Sequence, residues 1–158
     1  MGKPAARVTD NVVHPTPPIL TGIGSINVFI GKLPAWRGVS PAAAAALLSA
    51  KTATDTANQA AEAATKAAGG TPAAPVAKAA EIATKAASAA TMATAIASSA
   101  GLADKHACVL HGVGVVINGS QTVLINGLPA CRMRDSILEV RGPFNKIVRG
   151  CPTVFIGG

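Results

Sequence analysis

The chain has no tyrosine, one tryptophan and three phenylalanines among its 158 residues. Large side chains that would fill a wide core are therefore scarce. Its hydrophobic fraction of 49% misleads, because much of it is alanine, which buries little area. Lysine and arginine never form a run, so the net charge of +7 is dispersed. With no aromatic platform beside those charges, a nucleic-acid interface is not expected. Three cysteines cannot all pair within one chain. The start, Met1-Gly2-Lys3-Pro4, has no charged-then-apolar leader, so the expectation is synthesis in the cytoplasm with reduced thiols. There is no Gly-x-Ser-x-Gly elbow, no phosphate-cradling Gly-Lys-Ser/Thr and no paired-carboxylate arrangement. We therefore assign no catalytic and no cofactor-binding residue and expect no enzyme.

What the chain does have is repetition. One phrase occurs as Gly24-Ser25-Ile26-Asn27-Val28-Phe29-Ile30-Gly31, again over 119–127 (Gly-Ser-Gln-Thr-Val-Leu-Ile-Asn-Gly), and again over 150–158 (Gly-Cys-Pro-Thr-Val-Phe-Ile-Gly-Gly). A second occurs as Pro4-Ala5-Ala6-Arg7, Pro34-Ala35-Trp36-Arg37 and Pro129-Ala130-Cys131-Arg132. Successive copies are separated by 31 or 95 positions for the first phrase and by 30 or 95 for the second. The chain thus reads as three repeats of roughly 31 residues, the second interrupted by about 64 foreign ones. Without that block about 94 residues remain. A Gly- and Pro-rich unit of that size commonly needs a metal, disulfides or a partner to be stable.

The division expected is 1–40 and 102–158 for the repeat unit, with 41–101 as the insertion. From Pro41 to Ala100 alanine dominates, and Gly and Pro beyond Pro41 are confined to Gly69, Gly70, Pro72 and Pro75. This predicts two antiparallel helices, capped by Ser40 with Pro41 at the first helical position. Alanines at 46, 50, 53, 57, 60, 64 and 67 suggest a heptad seam, as do Val76, Ala79, Ala83, Ala86, Ala90, Ala93, Ala97 and Ala100. Residues 86–103 carry no charge, but their Ser and Thr content and the charges on the first helix disfavour a membrane hairpin. Outside the insertion the short apolar runs cut by glycine read as strands: 28–30, 113–118, 123–126, 147–148 and 154–156.

Asp10, Asp104 and Asp135 recur with the repeat and read as turn residues. Four residues after each stand His14, Cys108 and Glu139. If the repeats surround a pseudo-threefold axis, those side chains converge, and His106 and His111 flank Cys108 closely enough to join. His14, His106, Cys108 and His111 form a closed tetrahedral set for Zn²⁺ or Fe²⁺, a structural arrangement with no open position. Cys131 and Cys151 stand at positions of small residues and read as packing groups.

The phrases at 4–7, 119–127 and 150–158 strongly resemble the PAAR-repeat family, over residues 1 to about 40 and 102–158. The resemblance implies a mainly β fold: a small pseudo-threefold cone of short strands, its point pinned by zinc. It also implies a role as the piercing tip of type VI secretion and related contractile injection machines. The base of such a cone caps a trimeric β-helical spike of the VgrG type. The family's ligands carry over to His14, Cys108 and His111, with His106 completing the set; Glu139 stands where the third repeat often has cysteine, so the resemblance leaves either His106 or Glu139 as the fourth ligand. The expectation that follows is a monomer in isolation, assembled on the machine and secreted without a signal peptide, touching a target membrane only transiently. The resemblance says nothing of the insertion, for which we expect a cargo-effector or chaperone contact, or membrane insertion.

Overall fold

The computed structural model describes residues 2–157. Its short strands are β1 (Lys3–Ala5), β2 (Phe29–Ile30) and β3 (Leu33–Pro34), and after the insertion β4 (Lys105–Cys108) and β5 (Gly112–Val116). Then follow β6 (Leu124–Ile125), β7 (Leu128–Pro129), β8 (Ser136–Glu139), β9 (Asn145–Lys146) and β10 (Cys151–Ile156). Two helices, α1 (Pro41–Ala68) and α2 (Ala74–Ala100), stand between β3 and β4. The fold is a β-cone carrying an antiparallel helical hairpin.

The threefold pattern holds down to single hydrogen bonds. The hairpin β2–β3 pairs Phe29 with Pro34 and β6–β7 pairs Leu124 with Pro129. The third is built from the two ends of the chain, β10 and β1, and pairs Phe155 with Pro4. The first two turn through Gly31-Lys32 and Asn126-Gly127, all with positive φ. Positive φ at both central residues is what a type I′ hairpin turn requires, and glycine or asparagine supplies it at least strain.

Each arginine of the Pro-Ala-x-Arg phrase bridges the alanine of the next copy: Arg7 to Ala35, Arg37 to Ala130 and Arg132 to Ala5. Between them runs a closed ring of main-chain bonds. The Ala6 N–H donates to Cys131 O at 2.8 Å, Cys131 to Trp36 O at 3.0 Å, and Trp36 to Ala6 O at 3.0 Å. All three residues are buried. Cys131 is a packing group as expected from sequence, and burial pushes its thiol pKa up.

The aspartates do more than cap turns. The Asp10, Asp104 and Asp135 carboxylates accept from the main-chain N–H of Arg7, Arg37 and Arg132 at 2.7–2.8 Å. They also accept from those arginines' guanidinium groups. Two of the pairs span three residues, and the third, Arg37–Asp104, spans 67. The insertion therefore leaves and re-enters between the two halves of one clasp.

Ser40 accepts from the Ala43 N–H and starts α1 as expected. The alanine seam is not where the periodicity put it. The buried positions are Ala44, Leu47 and Thr54 on α1, and Glu81, Ser88, Ala89, Met92, Ile96 and Ala100 on α2. Only Ala100 belongs to the expected seam; most of those alanines face outward. Alanine periodicity marks helix formers, whereas the contact face is set by the larger and hydrogen-bonding side chains. Ser88 donates to Asn58 Oδ1 at 2.9 Å, and Thr65 to Ala77 O at 3.1 Å, across the pair.

Near the cone the helices end in a shared core: Leu47, Met92 and Ile96 pack with Val39, Ala103, Val115 and Leu138. A second cluster surrounds Trp36 with Leu20, Val116, Ile137 and Ile147, and a third holds Ile30, Ile125 and Ile156 at equivalent positions. Ile147 sits beyond β9 and bridges Val12 in place of the strand read at 147–148.

Candidate metal centre

β4, β5, β8 and β9 form one antiparallel sheet in that order. Its register places His106 opposite Gly114, and Gly114 opposite Glu139. Directly paired residues point to the same face, so His106 and Glu139 flank the bare Gly114. A Cβ at Gly114 would stand 2.7 Å from Glu139 Cγ. Cys108 is two residues along β4 from His106 and shares that face. His111 lies in the β4–β5 turn. His14 comes from the loop that follows Asp10 in the first repeat, tied to the sheet by Val13 N–H donating to Lys146 O at 2.9 Å.

These elements bring His14, Cys108, His111 and Glu139 together, one donor atom each, within 4.8 Å of one another. His14 Nδ1 is 3.2 Å from His111 Nδ1 and 3.6 Å from Cys108 Sγ. Glu139 Oε2 is 3.0 Å from His111 Nδ1 and 3.2 Å from His14 Nδ1. His106 is placed beside this group, its Nε2 3.8 Å from the other oxygen of the carboxylate, Oε1. Of the residues chosen from sequence, His14, Cys108 and His111 meet; the fourth corner is Glu139, the alternative, and His106 stands behind it.

The donor set fits a metal ion. Tetrahedral bonds of about 2.0–2.3 Å to N, O and S put neighbouring donors about 3.3–3.6 Å apart, close to four of the separations seen. Two Nδ1 atoms and one carboxylate oxygen in mutual contact cannot all be joined by hydrogen bonds, since nitrogens facing each other leave no place for a proton between both and the oxygen. Lone pairs converging on one point satisfy all three. Glu139 is 1% exposed, and no lysine or arginine pairs with it among the described residues. A buried carboxylate in that position needs a compensating cation.

Burial lowers the His106 pKa; the nearby His14 adds to this and Glu139 opposes it. Its Nε2 has no hydrogen-bond partner. Asn145, unnoticed in the sequence, is fully buried against the site. Its Nδ2 donates to Glu139 Oε1 at 3.1 Å, and its Oδ1 accepts from the Val13 and His14 N–H groups at 3.1 and 3.3 Å. No repeat counterpart marks Asn145, so nothing in the sequence pattern could single it out.

Away from the site, at the β-hairpins, equivalent side chains of the three repeats are exposed to nearly the same degree: Phe29 58%, Leu124 58% and Phe155 60%. A groove of about 680 Å³ lies between α2 and the β4–β5 turn, lined by Ala90, Ala93, Val109, Leu110, Val113 and their neighbours. No helix among the described residues is long and apolar enough to cross a membrane.

Residues 109–158 match the family model of the PAAR motif, which includes His111, Glu139, the third Arg–Asp pair and β10. The match is consistent with a PAAR-repeat protein, the helical insertion is compatible with it, and the PAAR family is one of structural spike-tip proteins of contractile injection systems. Searches of curated proteins and of solved structures found no match.

Proposed function

We propose that this chain is the metal-stabilised piercing tip that caps a trimeric VgrG-type spike in a contractile injection machine of the type VI secretion kind. The observation that carries this is the base: one polypeptide offers Phe29, Leu124 and Phe155 at three repeat-related positions with matching exposure. A contiguous apolar face on a small protein marks an interaction surface. A homotrimer ends in three identical surfaces, and a single chain can meet all three at once only if it is itself threefold. At the point, His14, Cys108, His111 and Glu139 would hold Zn²⁺, or Fe²⁺, with all four positions taken by protein; such a site stabilises structure and does not activate water. The repeat unit, 1–40 and 102–158, would form the cone, and 41–101 an appendage.

The test replaces all three base residues with aspartate. The expected outcome is loss of spike capture, with unchanged metal content and melting, because the side chains are more than half exposed. Wild-type protein should bind at one copy per spike trimer. A triple variant that still caps the spike, or three copies per trimer, would defeat the reading.

A second reading, that the chain also carries an effector or chaperone, is favoured by the apolar groove between α2 and the apex. It predicts that such a partner is released by bulky substitutions at Ala90 and Ala93.

A further inference from the structure

We propose that Asn145 and His106 are positioning residues that make Glu139 a one-oxygen ligand, an inference that rests on the metal reading above. The two oxygens of Glu139 have different surroundings. Oε2 faces the His14 and His111 nitrogens at 3.2 and 3.0 Å. Oε1 is turned away, accepting from Asn145 Nδ2 at 3.1 Å and facing His106 Nε2 at 3.8 Å. His106 reaches this place because Gly114, between them in the sheet, has no side chain.

The surroundings of His106 suit that duty. Thr21 Oγ1 accepts from the Ala107 N–H at 2.7 Å and lies 3.5 Å from His106 Nδ1. Nε2 is buried without a hydrogen-bond partner and faces Glu139 Oε1 from behind the ligand set, too far at 3.8 Å for a hydrogen bond here. In the tautomer that carries its proton on Nε2, drawing the two together makes His106 a donor to a ligand and not a ligand.

Asn145 acts on two ligands at once. Its amide nitrogen fixes Glu139, and its amide oxygen holds the main chain at Val13 and His14. Groups that orient metal ligands in this way typically matter 10- to 100-fold in affinity. Fixing Oε1 excludes two-oxygen binding, keeps the ion four-coordinate and disfavours larger oxygen-seeking cations.

The experiment uses the full chain with Co²⁺ as a spectroscopic probe and Zn²⁺ as competitor. Asn145→Asp keeps the oxygen that holds Val13 and His14 but turns an acceptor toward Oε1. The expected result is roughly 10- to 100-fold weaker metal binding, with the cobalt bands shifted from those of a four-coordinate site. His106→Ala should bind about tenfold more weakly, yet X-ray absorption should count two imidazoles on the ion in wild type and variant alike. Three imidazoles falling to two would make His106 a ligand and overturn the proposal, even if Asn145→Asp fails to fold. Wild type that binds cobalt, with Asn145→Asp binding equally tightly and giving the same spectrum, overturns this inference alone. A wild type that takes up no metal overturns the metal reading with it.

Discussion

Glu139 concentrates the chemistry of the apex in one buried carboxylate. Alone, it would be a carboxylate out of water with no lysine or arginine beside it among the described residues, and under the proposed reading a bound ion would balance it. Replacing His14 by alanine removes a donor and opens the site, leaving that charge poorly compensated. We expect His14→Ala and His111→Ala to lose the roughly one Zn²⁺ or Fe²⁺ per chain carried by wild type and to be destabilised by about 3 kcal/mol or more. Chelation should lower the wild-type melting temperature and leave the variants nearly unaffected. Elemental analysis with thermal melts checks this; metal-free wild type with the same melting point as metal-loaded protein would refute it. At this scale the sequence was partly readable. Counting four residues from each repeated aspartate reaches His14, Cys108 and Glu139, three members of the group. His111 was visible only as a neighbour of Cys108. Its exchange with His106 depends on strand register, since the two differ in facing the turn or facing Gly114, and spacing alone does not specify that. The Arg–Asp pairs left a stronger signal: both residue types recur with the repeat, three apart wherever no insertion intervenes.

Among the elements, the helical hairpin shows how a chain poor in large side chains joins two helices. Glu81 is buried on α2 and accepts from Lys78 at 3.0 Å and Lys85 at 2.7 Å; Lys85 also reaches Glu62 of α1 at 2.7 Å. Lys85, then Lys78 and Thr65, hold the Glu81 pKa down to about 2. A carboxyl whose folded pKa lies below its unfolded value, about 4.3, contributes stability in full above that value. The contribution is lost as pH falls toward the folded pKa, here from about 4.5 to about 2. Hydrogen-exchange protection in the distal hairpin, corrected for the intrinsic rate at each pH from 6 to 3, should therefore fall more in wild type than in Glu81→Gln. Raised salt should shrink the difference, because both lysines are about half exposed. Parallel profiles for the two proteins would show that Glu81 does not link the helices. The existence, ends and antiparallel arrangement of α1 and α2 were legible from Ser40, Pro41 and the Gly/Pro cluster. Their contact face was not, because alanine is frequent on every side and the inward positions belong to Leu47, Thr54, Glu81, Ser88 and Met92.

For the whole molecule, the hairpin is both an appendage and part of the cone's core. Toward its far end the hairpin is joined by contacts between α1 and α2, such as Thr65 to Ala77 and Glu62 to Lys85, whereas Leu47, Met92 and Ile96 complete a cluster with Val115 and Leu138. Burial of each such side chain contributes about 1.5–3 kcal/mol. Removing residues 55–88 and joining the stubs by a short turn should leave a folded, metal-binding cone that still caps the spike. Removing 41–100 entirely should lower stability by several kcal/mol by exposing Val39, Val115 and Leu138. Denaturant unfolding of both deletions checks this, and equal stability would mean the shared cluster contributes nothing. Arithmetic on the repeat sets the insertion at 41–101, the stretch in which α1 and α2 stand, but carries no sign of this shared core, because burial at Val115 and Leu138 depends on which face the hairpin leans upon.

The pairing of β1 with β10 has a consequence in time. Lys3 precedes its partner Ile156 by 153 positions. The other two base hairpins are local and can form as soon as their turns are made, but the third waits for both later repeats and the insertion between its strands, and must close a far longer loop. Until then the base is two-thirds of a ring, with an open strand edge and unpaired main-chain groups. Until β10 has been made the chain thus lacks the threefold surface altogether, and only a chain that carries both β1 and β10 has it to present.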